Sequence, residues 1–378
     1  MNKLFEKFQG YVMNTPEKIA LSSMGDGKTV TYRELDLISG KVYRYLKERG
    51  IGREDFVNIF LPRGVEPLIA MLGVWKAGAA FVLLEQEYPA ERIAFIRRDC
   101  GCKLVLDSEA WEEALQCEYL AGFAEANDHD AAFAVYTSGT TGNPKGVLHE
   151  YGNIDYIAKS LCENGESLLK HIDNYAFIAP LYFVVTVIVY VCILDAGSRM
   201  SIVPFSIAKN PQEIYKAFVE NKVDVLFCAP SILRYFRNIP TVNRIFVGSE
   251  PANGIWSDDP GLSIINGYSM SETAFCIAIG HLDQPNEIAP VGRPMTDLKV
   301  TLRNEEGQPV PEGEAGELCV ENPYVRGYIN RPEETARAFG PNRLRRGPSL
   351  QCPTKDSSVC LSAALLFVYN ASVPQSGT

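Results

Sequence analysis

The chain has 378 residues, enough to bury a large core and to hold more than one domain or lobe. At 46% hydrophobic and 22% charged its composition is that of an ordinary α/β protein, and a net charge of −10 excludes nonspecific nucleic-acid binding, which needs surplus Lys and Arg. Ten cysteines without a C-x-x-C pair and four scattered histidines make neither a zinc nor a disulfide framework, so free thiols in a reducing cytoplasm are expected. The N-terminal MNKLFEKFQGYV lacks the apolar core of a signal peptide.

Residues 2–13 read as a helix, and KIALSS and KTVTY as strands around Gly25-Asp26-Gly27. Thr31 with Glu34 forms a capping box for the next helix, whose apolar face uses Leu35, Ile38, Val42 and Leu46 and which Gly50 stops. FVNIFL is a strand, EPLIAMLGVWKAG a helix ended by Gly78, and AAFVLL a strand again. A helix near 90–98, the strand KLVL, an acidic linker over 107–130 and the strand AAFAVY follow. Beyond residue 146 come a helix near 152–163, a strand and helix within the uncharged run Phe177–Leu194, and the strand RMSIV. That run approaches the length of a membrane span, but Pro180 breaks it early, so a buried strand and helix are expected, with no membrane. A helix at 210–221 leads to VDVLFCA, another helix, RIFVG and LSIIN. From about 275 the helices fade, and KVTLR and GELCV suggest a smaller β-rich lobe. Alternating strands and helices imply mainly parallel sheets flanked by helices. The stretch 340–378 carries four cations against one acid, leaving −13 for the rest; rich in Ser, Pro and Cys, it is expected to be a disordered tail or one loosely docked helix.

Tyr136 to Gly146, YTSGTTGNPKG, is the most informative stretch. It gathers Thr137, Ser138, Thr140 and Thr141 with Gly139, Gly142 and Lys145 just after a buried strand. Glycines let backbone N–H groups approach an anion, hydroxyls add donors, and the lysine supplies a point charge suited to phosphate. It is not a Walker loop, because Pro144 stands where Gly-Lys-Ser/Thr would be needed. Its literal form, TSGTTGxPKG, resembles the phosphate-gripping loop of the adenylate-forming superfamily: acyl-CoA ligases, luciferases and the adenylation domains of nonribosomal peptide synthetases.

A second motif, Asn266 to Glu272 (NGYSMSE), follows a strand. Asn266 can hydrogen-bond an adenine edge, Tyr268 offers a ring to stack on it, Ser271 can donate to a phosphate, and Glu272 can hold Mg²⁺ through oxygen. The stretch resembles the superfamily's NxYGxTE motif, with Ser269 and Met270 in place of Gly and Pro. The resemblance implies adenine contacts from Asn266, Gly267 and Tyr268, a phosphate contact from Ser271 and a metal contact from Glu272. Gly248-Ser249-Glu250 resembles the turn that passes along the adenine. Residues 316–339, GELCVENPYVRGYINRPEETARAF, resemble GELxxxGxxxxxGYxxxPExTxxxF, for which a structural role is expected. VTYREL and VWKAGAAFVLLEQEYPAERIAFI resemble the framework of amino-acid adenylation domains in particular.

The resemblance spans residues 1–339, read as a large N-terminal AMP-binding domain. It implies an α/β fold of two helix-flanked, mainly parallel sheets with a smaller β-rich, barrel-like lobe. It also implies ATP and Mg²⁺ as cofactors, with Lys145 and Glu272 as catalytic groups. The reaction implied is formation of an acyl-AMP from a carboxylic acid, then transfer to the pantetheine thiol of a carrier protein or of coenzyme A. Two departures qualify this. Where amino-acid adenylation domains carry Phe-Asp, the Asp pairing with the substrate ammonium, this chain has Phe183-Val184. Val184, Val185 and Ile188 then make an apolar wall suited to an acid without an α-amino group. The Y-x-T-G-D segment and the small C-terminal domain with its lysine do not follow Phe339, so impaired activity is expected. A catalytically inactive nucleotide-binding fragment and a fragment of an acyl-CoA ligase stand as alternatives.

Overall fold

The alternating pattern folds into two sheets in the computed structural model, which describes residues 2–137, 144–163, 172–236, 238–274, 276–295, 298–304, 306–311, 314–321, 324–339, 344–351 and 361–362. In chain order the strands are β1 (Ile19–Ser23), β2 (Thr29–Thr31), β3 (Phe56–Ile59), β4 (Ala80–Leu83), β5 (Cys102–Leu106), β6 (Ala131–Thr137) and β7 (Lys145–Glu150). Then come β8 (Asn174–Phe177), β9 (Arg199–Ile202), β10 (Val225–Cys228), β11 (Arg244–Val247), β12 (Ser263–Ser269) and β13 (Cys276–His281). The last are β14 (Pro290–Pro294), β15 (Val300–Arg303), β16 (Ala315–Glu321), β17 (Val325–Tyr328), β18 (Leu344–Gln351) and β19 (Leu361–Ser362).

The smaller sheet is ordered β17-β7-β6-β4-β3-β5 and the larger β15-β16-β18-β19-β14-β13-β12-β11-β10-β8-β9-β1-β2. Strands β3 to β6 pair in parallel in the first, as do β1 and β8 to β12 in the second, because helical crossovers join them. The strands after residue 275 are those expected as a smaller β-rich, barrel-like lobe. Among the described residues β13 to β16, β18 and β19 extend the larger sheet edgewise, antiparallel from β12 onward, since an open strand edge offers unpaired N–H and C=O groups to the next strand, while β17 pairs antiparallel with β7 at the edge of the smaller sheet.

Local signals explain most helices. The amide of Glu34 donates to Thr31 Oγ1 and that of Thr31 to Glu34 Oε2, a closed capping box that starts helix Tyr32–Glu48. That helix buries Leu35, Val42 and Leu46 and meets helix Glu66–Lys76 at Gly73, where a Cβ would lie 2.5 Å from Val42. The acidic stretch after residue 107 is not a plain linker. Asp107 accepts from the Ala110 amide and caps helix Ser108–Gln116, which buries Ala110, Trp111 and Ala114 and leaves its glutamates outside. Alternating burial, rather than charge count, decides that helix. The run Phe177–Leu194 ends β8 and enters helix Val184–Ala196, stopped at Gly197 with φ 65°; among the described residues no helix is long and apolar enough to cross a membrane. The helix expected near 152–163 is an α-helix over Tyr151–Ala158 and a π-helical turn over Lys159–Glu163. Within 340–378, the described segments 344–351 and 361–362 are strands on β16 and β14.

Candidate active site

Strands β6 and β7 bracket the Ser/Thr/Gly loop. Thr137 and Lys145 are cross-strand partners, so the loop leaves and re-enters the sheet on one rung. The sequence pattern did not reveal this antiparallel hairpin. Gly146 makes room for it: a Cβ there would sit 2.7 Å from the Tyr136 ring, whose hydroxyl donates to Asp99 Oδ2 at 2.8 Å. Ser138, Gly139, Thr140, Thr141 and Gly142 lie outside the described residues.

Lys145 is half-buried and forms an ion pair with Glu334, from helix Pro332–Ala338. A hydrogen bond from Lys145 holds the Glu334 carboxyl below the usual carboxylate range. The Lys145 ammonium also stands 5.7 Å from the centre of the Tyr328 ring, and the Tyr328 hydroxyl donates to Glu272 Oε1 at 2.7 Å. One tyrosine thus connects the lysine after the loop with the carboxylate of NGYSMSE. It is itself fixed: its amide donates to Thr335 Oγ1 at 2.9 Å, and Gly327, with φ 119°, has no room for a side chain against Thr335. The segment read as purely structural therefore brings Tyr328 and Glu334 to the site. The visible signal was its G-Y-x-x-x-P-E-x-T pattern, which by itself says nothing about where the ring points.

Strand β12 runs through Ser269, further than expected, because β13 pairs with it from Ile265 to Ser269. Asn266 donates to the Pro290 carbonyl at 2.8 Å, and the Tyr268 ring is buried in the main core. Gly248 packs so closely on β12 that a Cβ would lie 2.8 Å from the Gly267 carbonyl oxygen. Ser249 takes a left-handed φ of 69°, and Glu250 accepts from the Ser231 amide at 3.2 Å. Gly248 and Gly267 are thus brought together, while the side chains of Asn266 and Glu250 have protein partners.

After β12 the chain turns tightly, with the amides of Thr273 and Ala274 both donating to the Met270 carbonyl at 3.1 Å. Ser271 and Glu272 are half-buried on this turn. His149 of β7 lies beneath it, donating from Nε2 to the Ser271 carbonyl at 2.8 Å. Asn153 Nδ2 lies 3.2 Å from His149 Nδ1 and donates to the Thr273 carbonyl at 3.2 Å. Burial pushes the His149 imidazole down to about 3, so it is neutral, with Nε2 protonated as its carbonyl partner requires. Neither residue was singled out from the sequence.

The apolar wall lies at the start of helix Val184–Ala196. Phe183 is the residue before the helix and contacts Tyr182 edge-on at 4.7 Å; Tyr182 in turn tilts against Tyr88 at 4.9 Å. Val184 and Val185 are half-buried and Ile188 is buried. The approach to this helix is pinned by Arg63, which donates to the carbonyls of Phe177, Ile178, Ala179 and Val203 at 2.6–3.2 Å. Burial pulls this guanidinium down to about 10. Three carboxylates that could reach an ammonium in place of an Asp on this helix have other partners: Asp195 meets Lys7 at 2.7 Å, Glu250 meets Ser231, and Asp173 lies within 4.0 Å of Lys18.

Among the described residues no group of three or more His, Cys, Asp or Glu gathers to hold a metal. Mg²⁺ is usually held by one or two carboxylates together with substrate phosphates. A single oxygen ligand on a fixed turn, joined through Tyr328 to Lys145, fits that manner of binding.

The model of the AMP-binding enzyme family matches residues 8–329. Gramicidin S synthase 2 of Brevibacillus brevis is 28% identical over 92% of this chain, which spans 9% of that protein. Zwittermicin A synthase ZmaJ of Bacillus cereus is also 28% identical, over 90% of this chain and 70% of its own length. Among solved structures, the N-terminal subdomain of NpsA from Klebsiella oxytoca, in complex with 3-hydroxybenzoyl-AMSN, superposes with a TM-score of 0.81 at 22% identity. The superposition covers 95% of this chain and 99% of that one, a likeness of fold.

Proposed function

The chain belongs to the adenylate-forming superfamily of AMP-binding enzymes, and from that premise we propose that it activates a carboxylic acid with ATP. A carboxylate oxygen attacks the α-phosphorus, the bond from that phosphorus to the bridging oxygen breaks, and pyrophosphate leaves with the electron pair. The thiol sulfur of a carrier-protein or coenzyme A pantetheine then attacks the acyl carbon, forming a thioester as the acyl C–O bond breaks and AMP leaves, with the thiol proton released. Residues 1–339 form the nucleotide-binding domain in this reading, with the β-rich part from about 275 belonging to it.

The observation that carries the reading is the gathering of Lys145 and Glu272 on Tyr328 at the mouth of the loop. Thr137, Ser138, Gly139, Thr140, Thr141, Gly142 and Lys145 would grip the departing phosphates, with Ser271 at the α-phosphate. Positioned donors and charge are the main lever in phosphoryl chemistry. Glu272 would hold Mg²⁺, which when bound with the nucleotide neutralises charge on the phosphates. Gly248, Ser249, Gly267 and Tyr268 would border the adenine through backbone and ring edge, with Asn266 and Glu250 shaping that border through their bonds to Pro290 and Ser231.

The acid would lack an α-amino group. Phe183, Val184, Val185 and Ile188 offer an ammonium no charged partner, and an unpaired buried ammonium costs several kcal/mol. No Asp or Glu lies between Asn174 and Leu194. Pyrophosphate exchange screened across acids, with calorimetry of ATP and AMP binding, tests the reading. ATP binding and exchange with a non-amino acid support it; a protein that binds neither nucleotide overturns it.

A further inference from the structure

Two hydrogen-bonding side chains under the Glu272 turn have no part in the reaction as described. His149 and Asn153 are both wholly buried. His149 stacks on Phe133, its cross-strand partner, with ring centres 4.6 Å apart. Its Nε2–H meets the Ser271 carbonyl, and Asn153 meets the Thr273 carbonyl. These carbonyls belong to the residues immediately before and after Glu272. The Glu272 carboxylate is in turn met by Tyr328 from outside.

We propose that His149 and Asn153 are positioning residues that set the Glu272 carboxylate for its metal, by holding the carbonyls of its two chain neighbours, Ser271 and Thr273. The inference rests on the reading of Glu272 as the metal-binding carboxylate. Side chains alternate along a strand, so Lys145 and His149, four residues apart on β7, project to the same face. That strand therefore sets the phosphate lysine directly and the metal carboxylate through the His149 hydrogen bond, and the helix that follows it, Tyr151–Ala158, adds the bond from Asn153. A buried carbonyl that loses its donor is left unsatisfied, which drives the turn to rearrange. Partners that orient a ligand are typically worth about 10–100-fold in metal affinity.

The test compares two substitutions of equal polarity. In His149→Gln the amide nitrogen stands near Nε2 and can still reach the Ser271 carbonyl; in His149→Asn it stands near Nδ1 and cannot. Calorimetry would measure ATP with excess Mg²⁺ and AMP without metal on the full chain, alongside thermal midpoints. His149→Asn should weaken MgATP by about tenfold or more and AMP by less than about twofold, whereas His149→Gln stays within about threefold of wild type for both. Asn153→Ala leaves the ring in place and should show the same split, about threefold, which keeps the test open if His149→Asn does not fold. Equal behaviour of the Gln and Asn variants, or a parallel loss of MgATP and AMP, would make His149 merely structural and overturn the inference. Wild-type protein that binds neither nucleotide would remove the functional reading itself, a result distinct from wild-type binding that the variants leave unchanged.

Discussion

The helical layer and the candidate site each set a lysine against a carboxylate, and they treat the pair differently. Lys76 lies 2.7 Å from Asp36, the lysine side chain wholly buried and the carboxylate 8% exposed. Asp36 also accepts from Gln9 at 2.9 Å and Tyr119 at 2.6 Å, and the Lys76 ammonium stands 5.7–6.0 Å from the rings of Phe8, Tyr119 and Phe123. Burial by itself would raise the Asp36 carboxyl, but Lys76, Tyr119 and Gln9 hold it below the usual range. Lys145 has one carboxylate and one ring, with its side chain 18% and that of Glu334 31% exposed. Where water is shut out, neither charge can leave without stranding the other. Where solvent reaches the pair, an incoming phosphate can take the place of the carboxylate. The first arrangement holds a fold, and the second suits a binding site.

Breaking the buried pair should have the largest effect. Asp36→Ala strands the Lys76 ammonium and should cost about 3–5 kcal/mol of stability, read by denaturant unfolding. A loss below about 1 kcal/mol would mean that the pair behaves like a surface one.

The candidate site has a titratable group as closed as the helical layer, His149. Its pKa of about 3 lies below the ordinary value of 6.5. Between those values the unfolded chain takes up a proton that the folded one refuses, so stability should fall as pH drops from 6.5 towards 3, by at most about 1.4 kcal/mol per pH unit from this residue. His149→Gln should flatten that part of the profile, and an unchanged slope would contradict the burial argument.

Lys145→Ala should lower ATP affinity by roughly tenfold, the scale of a lost charge-assisted hydrogen bond, while AMP binding and unfolding midpoint hardly move. Equal losses for ATP and AMP in calorimetry would remove its role at the outer phosphates. Val184→Asp should move preference towards the matching amino acid by a few-fold or more, through a new partner for the ammonium. Unaltered selectivity, with ordinary α-amino acids best in wild type, would refute the pocket reading. The smallest change is expected of Glu334→Gln. Exposed ion pairs are worth about 0–1 kcal/mol, so releasing Lys145 from its carboxylate should tighten ATP binding by no more than about fivefold. A loss of affinity would show that Glu334 orients Lys145 rather than competing with phosphate for it.

The sequence by itself determined the periodic elements and the family. The Thr31–Glu34 capping box, the helix stopped at Gly50 and the strand before YTSGTTGNPKG are local features, written in residues a few positions apart. Lys145 and Glu272 could be singled out for the same reason, since each lies in a short stretch with a distinctive pattern of residue types. What only the tertiary structure decided are relations across long separations. Tyr328 reaches back 56 residues to Glu272, His149 lies 122 residues from Ser271, and of the described strands after residue 275 β17 joins the smaller sheet while the others join the larger. A tyrosine, a histidine and an asparagine carry no mark of their partners in their neighbours. Their roles arise from burial and from which backbone carbonyls the fold leaves in need of a donor, and those are settled only when distant segments pack together.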